Sequence, residues 1–153
     1  MITPELTVAA LVERNGRFLM VEEVVRKQTV LNQPAGHVEY GESALDAVVR
    51  ETREETAWRF TPTALVGTYL WRIPSATRHV MRILFTGDVS DHDSDSELDD
   101  GIIATHWMDY RALQAAEERL RTPLVLHGLD DYLAGRRLPL DAVRCFDYTG
   151  APR

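Results

Sequence analysis

Three glutamates, Glu51, Glu54 and Glu55, stand at positions i, i+3 and i+4 of a segment with helical periodicity. At 100° per residue they share one helix face within an arc of about 100°. Like charges at this spacing repel and destabilise a helix by a few tenths of a kcal/mol per pair. Carboxylate oxygens are ligands that Mg²⁺ and Mn²⁺ prefer, so a divalent cation would relieve the repulsion. A solvated acidic face is the alternative interpretation of the three glutamates taken alone.

The glutamates belong to a longer pattern with the spacing G-x5-E-x7-R-E-x2-E-E. Its fixed positions are Gly36, Glu42, Arg50, Glu51, Glu54 and Glu55. This pattern resembles the Nudix box, the signature of the Nudix hydrolases, and it lies where a strand, a loop and a capped helix are predicted in succession. The resemblance implies that Glu51, Glu54 and Glu55 hold Mg²⁺, with Mn²⁺ as the alternative ion, and that the carbonyl of Gly36 adds a ligand. It also implies that Glu42 and Arg50 brace the loop and the helix.

The resemblance implies catalytic roles for Glu54 and Glu55 and for one further carboxylate. In several Nudix enzymes the general base is a carboxylate from a later loop, and the acidic segment 88–100 offers candidates. Glu97 is the first of them, followed by Asp95 and Asp99. We expect this segment to be loosely ordered without ligand, and a solvated loop with no catalytic group is the alternative.

Three further residues are predicted to bind substrate. His37 follows Gly36 directly and could contact a phosphate or transfer a proton. Trp71 lies on a predicted strand, where its face suits stacking on a base. Arg82 lies near the turn between two predicted strands and could bind phosphate. Structural packing is the alternative for His37 and Trp71, and surface solvation is the alternative for Arg82.

Two residues depart from the pattern of the family. Thr52 stands where an aliphatic residue is usual, and its hydroxyl is expected to bond to a carbonyl one turn earlier. Ala57 stands where the family has glycine. If the helix ends there in the left-handed conformation, alanine costs on the order of 1 kcal/mol.

Strands and helices that must position these residues alternate along the chain. Strands are predicted at 6–12, 18–25, 29–33, 63–73, 79–89 and 102–108, and helices at 43–57, 110–118 and 123–134. Asn15-Gly16 predicts a tight hairpin, and Ser43 with Asp46 predicts a capping box. The order favours an α/β fold with a mixed sheet covered by helices. The resemblance implies the Nudix fold, an α/β/α sandwich.

Composition limits the partners. The 153 residues predict a single domain over 1–153, with 17 basic and 24 acidic side chains and a net charge of −7. An acidic protein has no general attraction for nucleic acid or anionic lipid, so we expect neither as a partner. Because no apolar run could span a membrane and no signal peptide is recognisable, we expect a cytoplasmic location.

Within the family, segments 32–39 and 92–95 are similar to the NudJ-type phosphatase branch. That branch removes phosphate from nucleoside di- and triphosphates and from a thiamine-precursor diphosphate. We therefore expect Mg²⁺-dependent hydrolysis of a small phosphorylated metabolite, a nucleotide first, by a monomer or homodimer. The alternatives are an ADP-ribose-type nucleoside diphosphate-sugar pyrophosphatase and a non-catalytic Nudix-like ligand-binding module. Such modules often lose the glutamates, which this chain keeps.

Overall fold

The computed structural model describes residues 2–147, which form two four-stranded sheets and three α-helices. The strands are β1 Glu5–Leu11, β2 Glu13–Arg14, β3 Arg17–Val25, β4 Gln28–Asn32, β5 Ala35–His37, β6 Arg59–Ile73, β7 Arg78–Ser90 and β8 Ile102–Asp109. The helices are α1 Ala44–Thr56, α2 Tyr110–Ala115 and α3 Leu124–Leu133. Each strand and helix predicted from the sequence is present, with its ends shifted. Within residues 2–147, no helix is both long and apolar enough to cross a membrane.

The first sheet is mixed and has helices on both faces. Its order is β5-β1-β7-β6, in which β1 and β7 are parallel and the other pairs are antiparallel. Val8 of β1 belongs to the same buried cluster as Val48 of α1, whereas Leu11 belongs to a cluster with Leu129 of α3. In the second sheet, β3 pairs with β2, β4 and β8. The predicted α/β class with a mixed sheet is therefore confirmed.

The segment around Pro34 and Gly36 is not the simple loop that the sequence predicts. Ala35–His37 forms β5, which runs antiparallel to β1 and places Gly36 opposite Val8. A three-residue strand is too short to show an alternating pattern, and its pairing depends on the distant β1. Because of this pairing, the backbone of Gly36 and His37 is fixed to the mixed sheet.

Helix α1 begins and ends as the sequence predicts. The Asp46 N–H donates to Ser43 Oγ at 3.1 Å, and the Ser43 N–H donates to Asp46 Oδ2 at 3.4 Å, which completes the capping box. Thr52 Oγ1 donates to the carbonyl of Val48 at 2.7 Å. The helix ends at Ala57 in the left-handed conformation, with φ 61°.

The acidic segment is attached to the end of α1 rather than loosely ordered. The Asp93 N–H donates to the Ala57 carbonyl at 3.0 Å, and the Asp99 N–H donates to the Glu54 carbonyl at 3.0 Å. The ring of His92 lies 4.6 Å from the ring of Trp58, centre to centre. Carbonyls near a helix end need external donors, and this segment supplies them.

The left-handed end of α1 gives a stability prediction. Ala57→Gly should change the free energy of unfolding by less than about 0.5 kcal/mol, because relief of backbone strain offsets the loss of a buried methyl group. Ala47→Gly is the matched control, since both alanines are almost fully buried, at 0% and 2% exposure. It should destabilise by about 2 kcal/mol, because it loses a methyl and puts glycine inside a helix. Urea denaturation measures both, and equal losses would contradict strain at Ala57.

Candidate active site

Three carboxylates converge beside the C-terminal half of α1. Glu51, Glu54 and Asp99 each offer an oxygen, and these oxygens lie within 4.8 Å of one another. Glu51 and Glu54 are one turn apart on α1, and the backbone bond to the Glu54 carbonyl brings Asp99 to them. A group of hard oxygen donors at this spacing suits a divalent cation such as Mg²⁺.

Arg50 holds the helix carboxylates in place. Its Nη1 donates to Glu51 Oε1 at 2.9 Å and to Glu54 Oε2 at 3.1 Å. Its Nε and Nη2 donate to the two oxygens of Glu42 at 3.0 and 2.7 Å, and Nη2 also donates to the His37 carbonyl at 3.0 Å. The bonds from Arg50 hold the pKa of Glu42 below its ordinary value. Arg50 thus joins β5, the β5–α1 loop and the helix.

Gly36 lies directly against the carboxylate of Glu51. A Cβ on Gly36 would lie 2.1 Å from Glu51 Cδ, so any side chain at this position would displace the carboxylate. The absence of a side chain also lets backbone approach a ligand held by Glu51. Burial raises the pKa of Glu51, and a neighbouring cation would favour its ionised form. The donor set and the space at Gly36 therefore fit a divalent cation.

Glu55 is the most buried of the predicted carboxylates. It is 5% exposed, and its Oε1 accepts a hydrogen bond from the Ala35 N–H at 2.7 Å. Burial raises its pKa to about 8. The group of mutually close oxygens contains Glu51, Glu54 and Asp99 but not Glu55. Glu55 also lines a cavity, and with this raised pKa its carboxyl group retains a proton at neutral pH when no cation is bound.

A cavity of about 950 Å³ opens beside the carboxylates. Glu51 and Glu55 line it together with all three predicted substrate-binding residues, which are His37, Trp71 and Arg82. Arg82 is 4% exposed, so the surface interpretation of this arginine is wrong.

His37 is an exposed residue of the cavity wall, and its Nε2 lies 3.2 Å from Glu5 Oε2. Trp71 is partly buried on the cavity wall.

The acidic segment brings Asp99 to the converging carboxylates, whereas the sequence placed Glu97 first among its candidates. Glu97 is exposed and lies outside the group of converging oxygens, whereas Asp99 belongs to it. Asp95 is exposed and also lies outside the group. No local pattern distinguishes Asp99 from its acidic neighbours, because its position depends on a backbone bond to α1.

Comparison with known proteins gives consistent matches. The family model of the NUDIX domain matches residues 3–127. Phosphatase NudJ of Escherichia coli strain K12 is 32% identical over 148 residues, which are 97% of this chain and 95% of that protein. The structure of a NUDIX hydrolase from Nitrosomonas europaea matches with a TM-score of 0.92 and 41% identity, covering 94% of this chain and 98% of that one. A MutT protein from Methanosarcina mazei Go1, with 22% identity and a TM-score of 0.72 over 88% of this chain and 97% of that one, shares the fold.

The raised pKa of Glu55 predicts a pH-dependent stability in metal-free protein. The folded value of about 8 exceeds the ordinary 4.5, so the folded state binds this proton more tightly. The resulting stabilisation is present below about pH 4.5 and is lost as the pH rises through 8. In EDTA, the free energy of unfolding should fall by on the order of 2 kcal/mol between pH 5 and 9, and Glu55→Gln should remove most of this fall.

Glu54→Gln is the control for this measurement, because its side chain is 39% exposed and solvated. Chemical denaturation at several pH values should show the wild-type slope for Glu54→Gln and a flatter slope for Glu55→Gln. Identical slopes in all three proteins would show that Glu55 does not retain its proton in the folded state.

Proposed function

This chain belongs to the Nudix family and is a hydrolase acting on phosphoric anhydrides, and on that premise we propose that it removes phosphate from nucleoside di- and triphosphates. Similar small diphosphates, including a thiamine-precursor diphosphate, belong to the same proposal. The observation that carries it is the position of Glu51, which belongs both to the converging carboxylates and to the cavity wall. A diphosphate that meets the carboxylates can therefore extend its organic part into the cavity.

We propose Mg²⁺ as the cofactor, with Mn²⁺ as the alternative ion. Glu51, Glu54 and Asp99 would hold it, and the resemblance to the Nudix box implies the Gly36 carbonyl and Glu55 as further ligands. When bound, the ion neutralises phosphate oxygens and activates water for attack at phosphorus. Arg50 orients Glu51 and Glu54 for this task through its hydrogen bonds to both.

The general base is proposed among carboxylates close to that site. Asp99 is favoured over Glu97, because its oxygen lies with those of Glu51 and Glu54. Glu55 is the second candidate, since its carboxyl group lines the same cavity as Glu51. Glu54 keeps the catalytic role implied by the Nudix box, which is to hold the ion that acts on the phosphate.

The cavity supports a nucleotide as the substrate. Its volume of about 950 Å³ lies at the upper end of the range for small-molecule pockets. Trp71 offers a partly exposed aromatic face on its wall for stacking on a base. His37 and Arg82 are the proposed phosphate contacts.

Similarity to Phosphatase NudJ over 97% of the chain supports a phosphatase rather than a sugar-diphosphate pyrophosphatase. A cytoplasmic location, a monomeric or homodimeric state and a single domain over 1–153 stay predictions of the sequence.

Product analysis tests the proposed function. The protein is incubated separately with GDP, GTP and ADP-ribose, in Mg²⁺ and in EDTA, and the products are separated by ion-exchange chromatography. We expect GDP to yield GMP and phosphate, GTP to lose phosphate in the same way, and both reactions to stop in EDTA. Faster conversion of ADP-ribose to AMP and ribose phosphate would favour the pyrophosphatase, and no hydrolysis of any substrate would favour a binding module.

Substitutions in the acidic segment test the position of the catalytic carboxylate. Asp99→Asn should lower kcat on GDP by about 10²-fold or more, because it removes one charge from the converging group. Asp95→Asn and Glu97→Gln, which change exposed side chains outside the group, should stay within about threefold of the wild type. A large loss for Glu97→Gln with normal activity of Asp99→Asn would return the base to Glu97.

A further inference from the structure

Arg82 is a buried cation that lines the cavity. It lies on β7 opposite Tyr69 of β6, and Val80, two residues earlier, lies opposite Trp71. Residues that face each other across a sheet, and residues two apart on a strand, point to the same face. Arg82 and Trp71 therefore point into the same cavity, which both of them line.

The partners of Arg82 are neutral. Its Nη2 donates to Asn32 Oδ1 and to Gln33 Oε1, each at 3.1 Å, and its Nε is buried with no hydrogen-bond partner among the described residues. Two of the three other arginines that line the cavity bind carboxylates: Arg78 donates to Glu5 at 2.6 and 2.7 Å, and Arg121 donates to Glu23 at 2.7 Å.

Among residues 2–147, no carboxylate forms a hydrogen bond with Arg82, and Glu55 and Glu23 act on its charge only through space. Removing a cation from water costs several kcal/mol unless an anion compensates for it. The cost is visible in the pKa of Arg82, which burial lowers to about 10. A residue needed only to fill this space would be apolar, and the two amide oxygens fix the direction of the guanidinium without neutralising it.

Resting on the proposed function, we propose that Arg82 forms a second phosphate subsite, which binds the phosphate adjacent to the one held at the converging carboxylates. Glu51 and Glu55 line the same cavity as Arg82, so a diphosphate that begins at the carboxylates extends toward the guanidinium. Phosphate oxygens are charged acceptors, so a phosphate in the cavity would balance the charge of the guanidinium, whereas a neutral ligand would not. Asn32 and Gln33 are positioning residues in this subsite, since they hold the guanidinium by its Nη2.

Binding of two non-hydrolysable ligands tests the subsite without turnover. Methylenediphosphonate can occupy both phosphate positions, whereas methylphosphonate needs only the position at the carboxylates. In Mg²⁺, isothermal titration should show that Arg82→Met weakens methylenediphosphonate about tenfold or more and changes methylphosphonate by less than about threefold. Arg72→Met is the matched control, because Arg72 is an exposed arginine of β6 outside the cavity lining. It should leave both affinities within about twofold.

Equal losses for the two ligands, or no loss for either, would overturn the subsite and leave Arg82 as a structural brace between β4 and β7. If Arg82→Met does not fold, Arg82→Lys replaces it, and a selective loss of about threefold or more for methylenediphosphonate is expected because lysine lacks the planar fork. The proposed function is tested separately from the subsite. If wild-type protein hydrolyses neither GDP nor GTP but the selective loss is observed, the diphosphate subsite stands and the nucleotide assignment is wrong.

Discussion

The hydrogen bonds of Arg50 are the interaction on which the site depends. Glu51 and Glu54 repel one another on a single helix face, and a group of this kind separates unless a cation lies between its members. One planar guanidinium reaches both of them and also Glu42 and the His37 carbonyl, so a single side chain fixes the helix, the preceding loop and β5. The ammonium group of a lysine has three donors at one point and could not hold this arrangement.

Backbone features complete the site around that arginine. Gly36 leaves the space that the Glu51 carboxylate occupies, and β5 holds it there by pairing with β1. Segment 88–100 gives N–H groups to the last carbonyls of α1 and so places Asp99 beside Glu54. A helix C-terminus is the negative end of its dipole, where further carboxylates are unfavourable. The fold therefore accumulates negative charge at a place where Arg50 relieves part of the repulsion and a bound cation would relieve more.

Features set by local chemistry could be predicted from the sequence, and features set by distant contacts could not. The capping box at Ser43, the back-bond of Thr52 and the left-handed end at Ala57 depend on neighbours within one or two turns, and all are present. The six positions of the box were recognisable from their spacing. The participation of Asp99 and the burial of Arg82 depend on contacts from distant parts of the chain, so composition alone suggested an exposed loop and a solvated arginine.

The net charge of the chain and the charged groups of the cavity act on a substrate at different distances. A net charge of −7 repels a free polyphosphate, but at physiological ionic strength this repulsion is screened beyond about 8 Å. Inside the cavity the low dielectric strengthens short contacts. There the converging carboxylates favour a cation, whereas the buried Arg82 favours an anion. A phosphate chain that carries a divalent cation offers the cation to the carboxylates and its phosphate oxygens to Arg82. Such a substrate also brings less negative charge to an acidic surface. The acidic composition is thus compatible with an anionic substrate because the selection is made at contact distance.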